Sequence, residues 1–565
     1  MMTWGTSAWG AVPWGVRGFA ALPSPAAFTA ATQDSVCDAV FLVEMQPATG
    51  ATATVESKSL TWGTYPWGTL PYAQPAPPSI RLDWSDRDWT SRPDDGRANI
   101  HFEGRVEPPQ FDRSIPIVPG SGRAAVSIGE LVAVNADGIY DSYPDAYAID
   151  ATPVRVAVLP KRSSRYSEAA TVFQGQGLDW WADGSLHVRM RDAGYLLDVP
   201  LLTLYGGTGG ADGGAELAGK PIRQTYGLCR GVSGDLVDAA RLIYRCHDRL
   251  MQAVDAVYIK GAPVTWNGTT YSSYAALAAA SVASGQYAKW LGSDGSGWRL
   301  GTGPDGTPTA DVRGDAVGGY VSDTAGVIRR LLERGVPTSA LALSSFASMA
   351  GYLPGVIGYH VAAQKDISAA ATEVAVAAAA WWGDAGDGLL SVGRLAAPVG
   401  GGLSFGEEQI LAEPEPMALP GAIGPCVWRV EAGYRRNWTP LSGTDIAPVP
   451  TIATEQRRQE LADQSRRTAV GLVERQARNQ LAQPLTVETL FDNETDAATL
   501  CNNLLTLYAA GRRYYRVPVG MAGYLPRLGD TISVTWPRWG LAGGRALRVV
   551  GQRAQGRRVD LLCFG

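Results

Sequence analysis

Two pairs of neighbouring acids are the residues of this chain whose types and spacing could do chemistry. Asp83 stands near Asp86, and Asp94 adjoins Asp95, with tryptophans close by in the sequence. Two carboxylates that flank a sugar can cleave a glycosidic bond, and aromatic rings can support that sugar. Acidic residues are also common in turns. The pattern therefore leaves a glycan-degrading enzyme open as an alternative and does not by itself establish one.

Other catalytic and cofactor patterns do not occur in the sequence. The glycine runs at 206–210 and 400–402 lack the Lys-Ser/Thr that completes a phosphate-binding loop. Neither Gly-x-Ser-x-Gly nor His-Glu-x-x-His is present. The six cysteines are isolated and the four histidines lie far apart, so we expect buried free thiols in a reducing compartment and no zinc site. These patterns predict no cofactor and no metal site, and the residues alone leave two classes open: a large, β-rich, non-catalytic assembly protein and a glycan-degrading enzyme.

Length and composition favour several β-rich domains. The chain has 565 residues with 45% hydrophobic content, which suffices for several buried cores. Charged residues make up 18%, while Gly and Pro number 67 and 36, so turns must be frequent. The net charge of −5 gives no overall electrostatic footprint for nucleic acid. No signal peptide or membrane span is apparent, and we expect synthesis in the cytoplasm.

A loose tryptophan–glycine repeat marks residues 1–78. Its five tryptophans, each followed by glycine, are Trp4, Trp9, Trp14, Trp62 and Trp67. Such pairs suit tight turns whose rings pack onto another surface. Three interpretations remain open at this point: the rings bury one another, they stack on carbohydrate, or they dock on a neighbouring subunit. Few other long aliphatic residues accompany them, so we expect an assembly arm.

Alternating patterns predict the elements that follow a proline-rich boundary at 71–78. Period-two runs indicate a sandwich or barrel between residues 80 and about 220. Further on, the patterns predict helices over residues 324–334, 368–382, 454–484 and 496–510, of which 454–484 is the longest and most charged. The glycine-rich residues 292–306 are predicted to be loop, residues 253–264 strand-turn-strand, and residues 517–564 a terminal β-unit. The predicted fold class is a multidomain, β-rich α+β protein.

Several stretches in collinear order resemble one protein family. The central stretch is Gly219-Lys220-Pro221-Ile222 through Val254-Asp255-Ala256-Val257-Tyr258-Ile259-Lys260-Gly261-Ala262-Pro263-Val264. Shorter stretches before and after it agree: Gly104-Arg105-Val106-Glu107-Pro108-Pro109, Pro308-Thr309-Ala310-Asp311-Val312-Arg313-Gly314-Asp315, Gly433-Tyr434-Arg435-Arg436-Asn437-Trp438-Thr439 and Leu528-Gly529-Asp530. Over residues 80–565 the chain resembles the tail-tip and baseplate hub proteins of long-tailed (siphophage-type) bacteriophages and gene transfer agents.

The resemblance implies a structural virion protein. It implies a homotrimer in which two barrel-like domains per chain form a pseudo-sixfold ring that continues the tail tube and lets DNA pass. The implied partners are a distal tail protein ring, a tape-measure protein and a central tail fibre or spike. A receptor-binding adhesin is a further alternative. The expected domains are the arm (1–78), a first barrel-like hub domain (79–220), a strand-rich domain with a glycine-rich insertion (221–320), a small α+β domain (321–400) and a C-terminal region with a long helix and a β-unit (401–565).

Overall fold

The computed structural model describes residues 38–49, 80–128, 130–385, 388–400, 402–424, 426–452 and 454–565. Strands of the first half are β1 (Val40–Met45), β2 (Ala48–Thr49), β3 (Leu82–Ser85), β4 (Trp89–Thr90), β5 (His101–Gly104), β6 (Gln110–Ser114), β7 (Ala125–Ile128), β8 (Leu131–Val134), β9 (Tyr147–Ala148), β10 (Pro153–Leu159), β11 (Ala170–Ala182), β12 (Ser185–Arg191), β13 (Gln224–Ser233), β14 (Asp235–Asp238), β15 (Ile243–His247), β16 (Met251–Ile259), β17 (Ala262–Pro263) and β18 (Thr265–Tyr271).

Strands of the second half are β19 (Gln286–Gly292), β20 (Gly295–Leu300), β21 (Pro308–Asp315), β22 (Gly358–Val361), β23 (Ala380–Asp384), β24 (Leu390–Arg394), β25 (Leu403–Phe405), β26 (Glu415–Met417), β27 (Val427–Tyr434), β28 (Arg466–Gly471), β29 (Gln483–Glu488), β30 (Tyr514–Val519), β31 (Thr531–Val534), β32 (Arg545–Gln555) and β33 (Arg558–Phe564). Helices are α1 (Tyr143–Ala146), α2 (Tyr274–Ala279), α3 (Thr324–Leu332), α4 (Leu343–Tyr352), α5 (Ile367–Ala377), α6 (Glu455–Ala462), α7 (Val473–Arg478) and α8 (Glu494–Tyr508).

The first sheet is built around β1, an apolar strand that is buried along its whole length. Its strand order is β4-β5-β3-β1-β10-β11-β12-β8. The chain that continues from β5 then reaches the far edge strand, because Glu107 N donates to Val132 O (2.9 Å) and Val134 N donates to Arg105 O (2.7 Å). The sheet therefore curls until its last strand meets the continuation of β5, which leaves β8 paired on both sides there.

The last sheet shares a hydrophobic core with the first. Its order is β25-β31-β32-β33-β30-β26, and β6, from near residue 110, pairs antiparallel with β32. Rings from both ends of the chain meet in the core: Tyr524 lies 6.0 Å from Phe41 and 5.8 Å from Phe111, centroid to centroid. Residues near 40–190 and 403–564 thus bury one another's apolar side chains.

Two five-stranded sheets form the middle of the chain. Their orders are β17-β16-β21-β13-β22 and β14-β15-β20-β19-β18. Buried side chains between them include Cys229, Val254, Trp298 and Val312. The turn between β16 and β17 lies at Lys260 and Gly261, as the sequence predicted, and both residues have positive φ (50° and 80°).

Helices α3, α4 and α5 pack with β23, β24, α8 and the three-stranded sheet β28-β27-β29 around another core. Helix α3 begins after Asp323, whose carboxylate accepts a bond from Gly326 N (2.9 Å). Its apolar residues Val327, Ile328 and Leu331 are buried. The predicted helices over 324–334 and 496–510 are confirmed, with bounds that differ by a few residues.

The helix predicted over residues 454–484 is wrong. The segment forms α6, then β28, then the short α7, and reaches β29 at Gln483. The physical reason is pairing: β28 pairs antiparallel with β27, from Arg429↔Gly471 to Tyr434↔Arg466. Tertiary hydrogen bonding here overrides the charged, four-residue spacing that suggested one long helix.

Two other predicted bounds also change. Residues 292–306 are not all loop, because β20 crosses them and pairs with β15 and β19. The helix predicted over residues 368–382 ends at Ala377, and both Trp381 and Trp382 lie on strand β23. Strand β15, which pairs with β20, also pairs antiparallel with β14.

The described residues therefore form a β-rich α+β protein, as predicted. The predicted domain boundaries stay predictions, and the core shared by the first and last sheets joins two of those domains. In the described parts of the chain, no helix is long and apolar enough to cross a membrane.

Candidate functional site

The first pair of predicted acids holds strands together. Asp83 accepts a bond from Arg97 Nη2 (2.9 Å) and pairs with Arg81 Nε (3.1 Å). Burial raises the pKa of Asp83, and Arg81 opposes that rise. Asp86 accepts bonds from the backbone N of Phe41 (2.9 Å) and from Arg557 Nη2 (3.3 Å). Both carboxylates thus have structural partners.

The second pair holds a turn in place. Asp94 pairs with Arg165 Nη2 at 2.6 Å, and that hydrogen bond lowers the pKa of Asp94. Asp95 Oδ2 accepts bonds from the backbone N of Arg92 (3.0 Å) and of Tyr166 (3.2 Å). Contacts of this kind explain the four aspartates without a substrate, so they lend the glycan-degrading alternative no support.

The predicted assembly residues Trp4, Trp9, Trp14, Trp62 and Trp67 lie outside the described residues. The structure does show where their segments join the described chain. Residues 1–37 lead into Asp38 at the start of β1, and residues 50–79 lie between Thr49, the end of β2, and Ile80. The role of the five tryptophans stays a prediction.

A buried acid in β1 is a site that the sequence did not reveal. Glu44 is 1% exposed in the middle of an apolar strand. Its carboxylate accepts bonds from Arg155 Nη1 (2.7 Å) and Tyr166 Oη (2.9 Å), and it forms an ion pair with Arg97. A buried carboxylate is tolerated only when paired and hydrogen-bonded in this way.

A second buried charged cluster, which we call the His247 junction, joins the middle sheets to the residues that follow α3. It consists of His247, Asp248, Asp315, Arg249 and Arg334, and the side chains of His247 and Asp315 are fully buried. Arg334 donates two bonds to Asp248 (2.7 and 3.1 Å), and Arg249 Nη2 lies 2.7 Å from Asp315.

The histidine of this junction has a defined hydrogen-bonding role. Its Nδ1 accepts a bond from the backbone N of Thr225 (3.0 Å), so Nε2 carries the proton of the neutral ring. Nε2 faces Asp248 Oδ1 at 3.5 Å and Asp315 Oδ2 at 3.6 Å. Burial alone would raise the pKa of Asp315, but His247 and the arginines outweigh it and lower that pKa to about 2.

A third cluster, the Arg230 clasp, ties the middle sheets to the segment before α8. Arg230 donates to Asp492 through Nε (3.0 Å) and Nη2 (3.1 Å), and to Asp311 through Nη1 (3.1 Å). Asp311 also accepts a bond from the backbone N of Gly231 (3.0 Å). The two acids hold the guanidinium from both sides, which fixes its plane.

The clasp lies beside a cleft lined by the collinear motif at residues 433–439. The cleft has a volume of about 70 Å³, and its lining includes Arg230, Arg435, Asn437 and Glu460. Asn437 ties the motif to the end of α6 and the residues that follow it. Its backbone N donates to Gln464 O (2.9 Å) and its side chain donates to Leu461 O (3.0 Å). The motif thus has a clear local function in connecting parts of the fold.

Cysteines in the described residues are free and buried, as predicted; they are Cys229, Cys246, Cys426, Cys501 and Cys563. Burial raises the pKa of Cys246 to about 12 and that of Cys501 to about 11. These thiols stay protonated at neutral pH and are poor nucleophiles. Among the described residues, no group of three His, Cys, Asp or Glu side chains is placed to hold a metal ion.

Comparison with known proteins finds several solved structures to which the chain is similar. No protein-family model and no curated protein sequence matches it. The solved structures to which it is similar include a virion of a native gene transfer agent particle (13% identity, TM-score 0.37, 61% of this chain and 84% of that chain). They also include the tail protein from Neisseria meningitidis MC58 (11%, TM-score 0.36, 83% and 94%).

A third similar structure is the 43 kDa tail protein of prophage MuSo2 from Shewanella oneidensis (9% identity, TM-score 0.33, 82% of this chain and 95% of that chain). The chain resembles phage tail proteins.

Proposed function

We propose that this protein is a central tail-tip or baseplate hub of a phage-type particle, with a structural and not an enzymatic role. The observation that carries the proposal is the first sheet, which curls until β8 meets the chain continuing from β5. In this proposal, the curled sheet and the double sheet of the middle region act as the two barrel-like units of one chain.

Three such chains would supply six units around an axis, which is the arrangement that continues a hexameric tail tube. The charged junctions support this role, because they fix the connected parts of one chain relative to one another. The net charge of −5 suits a channel through which DNA passes without adhering. The proposed location is the tail tip of the virion, after synthesis in the host cytoplasm.

The copy number in intact tails tests the proposal. We expect three copies per tail when the chain is quantified against isotope-labelled peptides, with the tail-tube protein as the internal reference. Six copies, or one, would contradict the trimeric ring. The oligomeric state of the purified chain does not replace this measurement, because a hub can remain monomeric until its partners are present.

The proposed partners are a distal tail protein ring, a tape-measure protein and a central fibre or spike. Cross-linking mass spectrometry on intact tails checks them, and we expect cross-links from this chain to all three. Incubation of the purified chain with peptidoglycan and host polysaccharides tests the enzymatic alternative. Sugar release that is lost in Asp83→Asn or Asp86→Asn would contradict a purely structural role.

The tryptophan-rich parts of residues 1–78, which lie on either side of β1 and β2, are proposed to act as an assembly anchor. Their rings have few aliphatic neighbours in the sequence, so they gain most by packing on a neighbouring tail protein or on the wall of the hub itself. Deletion of residues 2–36, which leaves β1 intact, is expected to leave a soluble protein that fails to join the tail. Normal infectivity of particles that carry the truncated chain would refute the anchor.

A further inference from the structure

Residues 50–79 leave the described structure and return to it at one place. Strand β2 pairs with β9 through Ala48↔Ala148 and Thr49↔Tyr147. On the returning side, Ile80 N donates to Pro47 O at 3.1 Å. The described residues that flank the segment containing Trp62 and Trp67 are therefore bonded together beside β9.

An aromatic surface, which we call the tyrosine run, lies at this stem. It consists of Tyr140, Tyr143 and Tyr147, with ring centroids 5.1 and 5.4 Å apart at successive steps, and Trp180 lies 6.4 Å from Tyr143. Tyr143 and Tyr147 are only half-buried. Such rings offer edges and faces to a further aromatic side chain.

Exposed apolar residues precede the tyrosine run in the sequence. Ile139 is 50% exposed and Val134 is 46% exposed, and both lie at or near the turn that leads into the tyrosine run. The half-buried rings of the tyrosine run form a patch that gains free energy when another apolar group covers it.

The length of the loop lets its tryptophans reach this patch. Trp62 follows Thr49 by thirteen residues, and Trp67 precedes Ile80 by thirteen. Thirteen residues in a random-coil conformation would span about 20 Å on average, and β2, which precedes the segment, pairs with the strand that carries Tyr147. Docking within the chain therefore benefits from an effective concentration on the order of 1 mM.

The first tryptophan group joins the fold elsewhere. Residues 1–37 lead into Asp38, at the opposite end of β1, which is about 20 Å long. The contacts there are ionic: Arg87 Nη1 lies 2.9 Å from Asp38, and Arg557 Nη2 lies 3.3 Å from Asp86. The start of β1 thus lies near charged side chains, whereas the chain that follows its end lies near the tyrosine run.

We propose that the tyrosine run is the docking surface for the loop that carries Trp62 and Trp67, within the same chain. The group Trp4, Trp9 and Trp14 then serves the neighbouring protein. The first half of this inference concerns the isolated chain and does not depend on the proposed tail function. The second half rests on the proposed anchor and is tested separately by the assembly of truncated chains.

Fluorine NMR of the full chain labelled with 5-fluorotryptophan tests the docking. Trp62→Phe and Trp67→Phe assign the two resonances. In the parent chain, we expect both to differ from their positions in denaturant, and we expect Tyr143→Ser/Tyr147→Ser to move both toward those positions. Resonances of Trp62 and Trp67 that already match the denatured chain would overturn the proposal.

A reciprocal measurement keeps the test decisive if the tyrosine variant fails to fold. Nitration of Tyr143 and Tyr147, read by mass spectrometry, is expected to accelerate several-fold in Trp62→Ala/Trp67→Ala. The matched control is Trp4→Ala/Trp9→Ala/Trp14→Ala, which should leave nitration unchanged. Equal nitration in the two variants would refute the assignment of the loop to this surface.

Discussion

Replacement of Asp315 by asparagine is the sharpest test of the His247 junction. Asp315→Asn keeps the size of the side chain and removes its charge. Arg249 loses its partner at 2.7 Å, and the Nε2–H of His247 loses one of the two carboxylates that it faces. The change therefore removes a negative charge from beside the buried cationic groups and alters the packing little.

The expected cost follows from the pKa of the native carboxyl. A decrease from 3.8 to about 2 corresponds to a preference of about 2 kcal/mol for the ionised group in the folded protein. Incomplete pairing of the buried arginines adds to this, and breaking buried pairs generally costs about 3–5 kcal/mol. We expect a loss of about 3 kcal/mol at pH 7.

The pH dependence has a defined direction. Because folding lowers the pKa of Asp315, its contribution is fully present above the unfolded value of 3.8. It is lost as the pH falls from 3.8 through about 2. The difference between the parent and Asp315→Asn should therefore be largest at neutral pH and should shrink below pH 4.

Hydrogen exchange read by mass spectrometry measures the effect where it occurs. The amide of Thr225 donates to His247, so peptides that cover the start of β13 report on the junction. A loss of about 3 kcal/mol accelerates exchange through local opening about 100-fold. Asp255→Asn is the matched control, because its pair with Arg313 is 33% and 43% exposed and should contribute under ~1 kcal/mol. Equal effects of the two variants would refute the reasoning.

Three further outcomes are expected. Glu44→Gln should lower the free energy of thermal unfolding by about 3 kcal/mol or more, because it breaks a buried ion pair. Glu130→Gln, at a half-exposed ion pair, is the control and should change that free energy by less than ~1 kcal/mol. Equal melting temperatures of the two variants would contradict the buried network. Gly231→Ala should disrupt the Arg230 clasp, because Gly231 has φ +63° and a Cβ there meets Asn437. We expect faster hydrogen exchange in the peptide that covers residues 433–439, and an unchanged rate would contradict the prediction. In Cys37→Ala, thiol reagent at pH 8 should label no cysteine until denaturant is added, and rapid labelling of the native chain would show that the buried thiols are accessible.

Local patterns predicted elements whose partners lie nearby in sequence. The turn at Lys260-Gly261 and helix α3 both follow from short-range features, namely a turn residue between alternating runs and an apolar stripe behind a capping Asp. Strand β20 was not predicted, because a glycine-rich sequence usually indicates a loop. Its glycines are instead required by close packing, since a Cβ on Gly297 would meet the backbone of Tyr244.

The charged clusters could not be predicted from sequence because their members are far apart along the chain. Glu44 and Arg155 are separated by 111 residues, and Arg230 and Asp492 by 262. An acid inside the apolar run of β1 was the one local signal of the first cluster. The prediction for the tryptophans concerns residues outside the described structure. The tyrosine run that we assign to two of them is local in sequence, and only its neighbour Trp180 comes from a distant position.

The pairing of β6 with β32 has a consequence for synthesis of the chain. The ribosome completes residues 110–114 more than 400 residues before their partners at 551–555 emerge. Until then the apolar face of the first sheet lacks the strands that cover it, so a nascent or truncated chain exposes that face to chaperones and proteases. Assembly can therefore draw only on chains whose C-terminal strands have been made, which excludes prematurely terminated copies before they meet a partner.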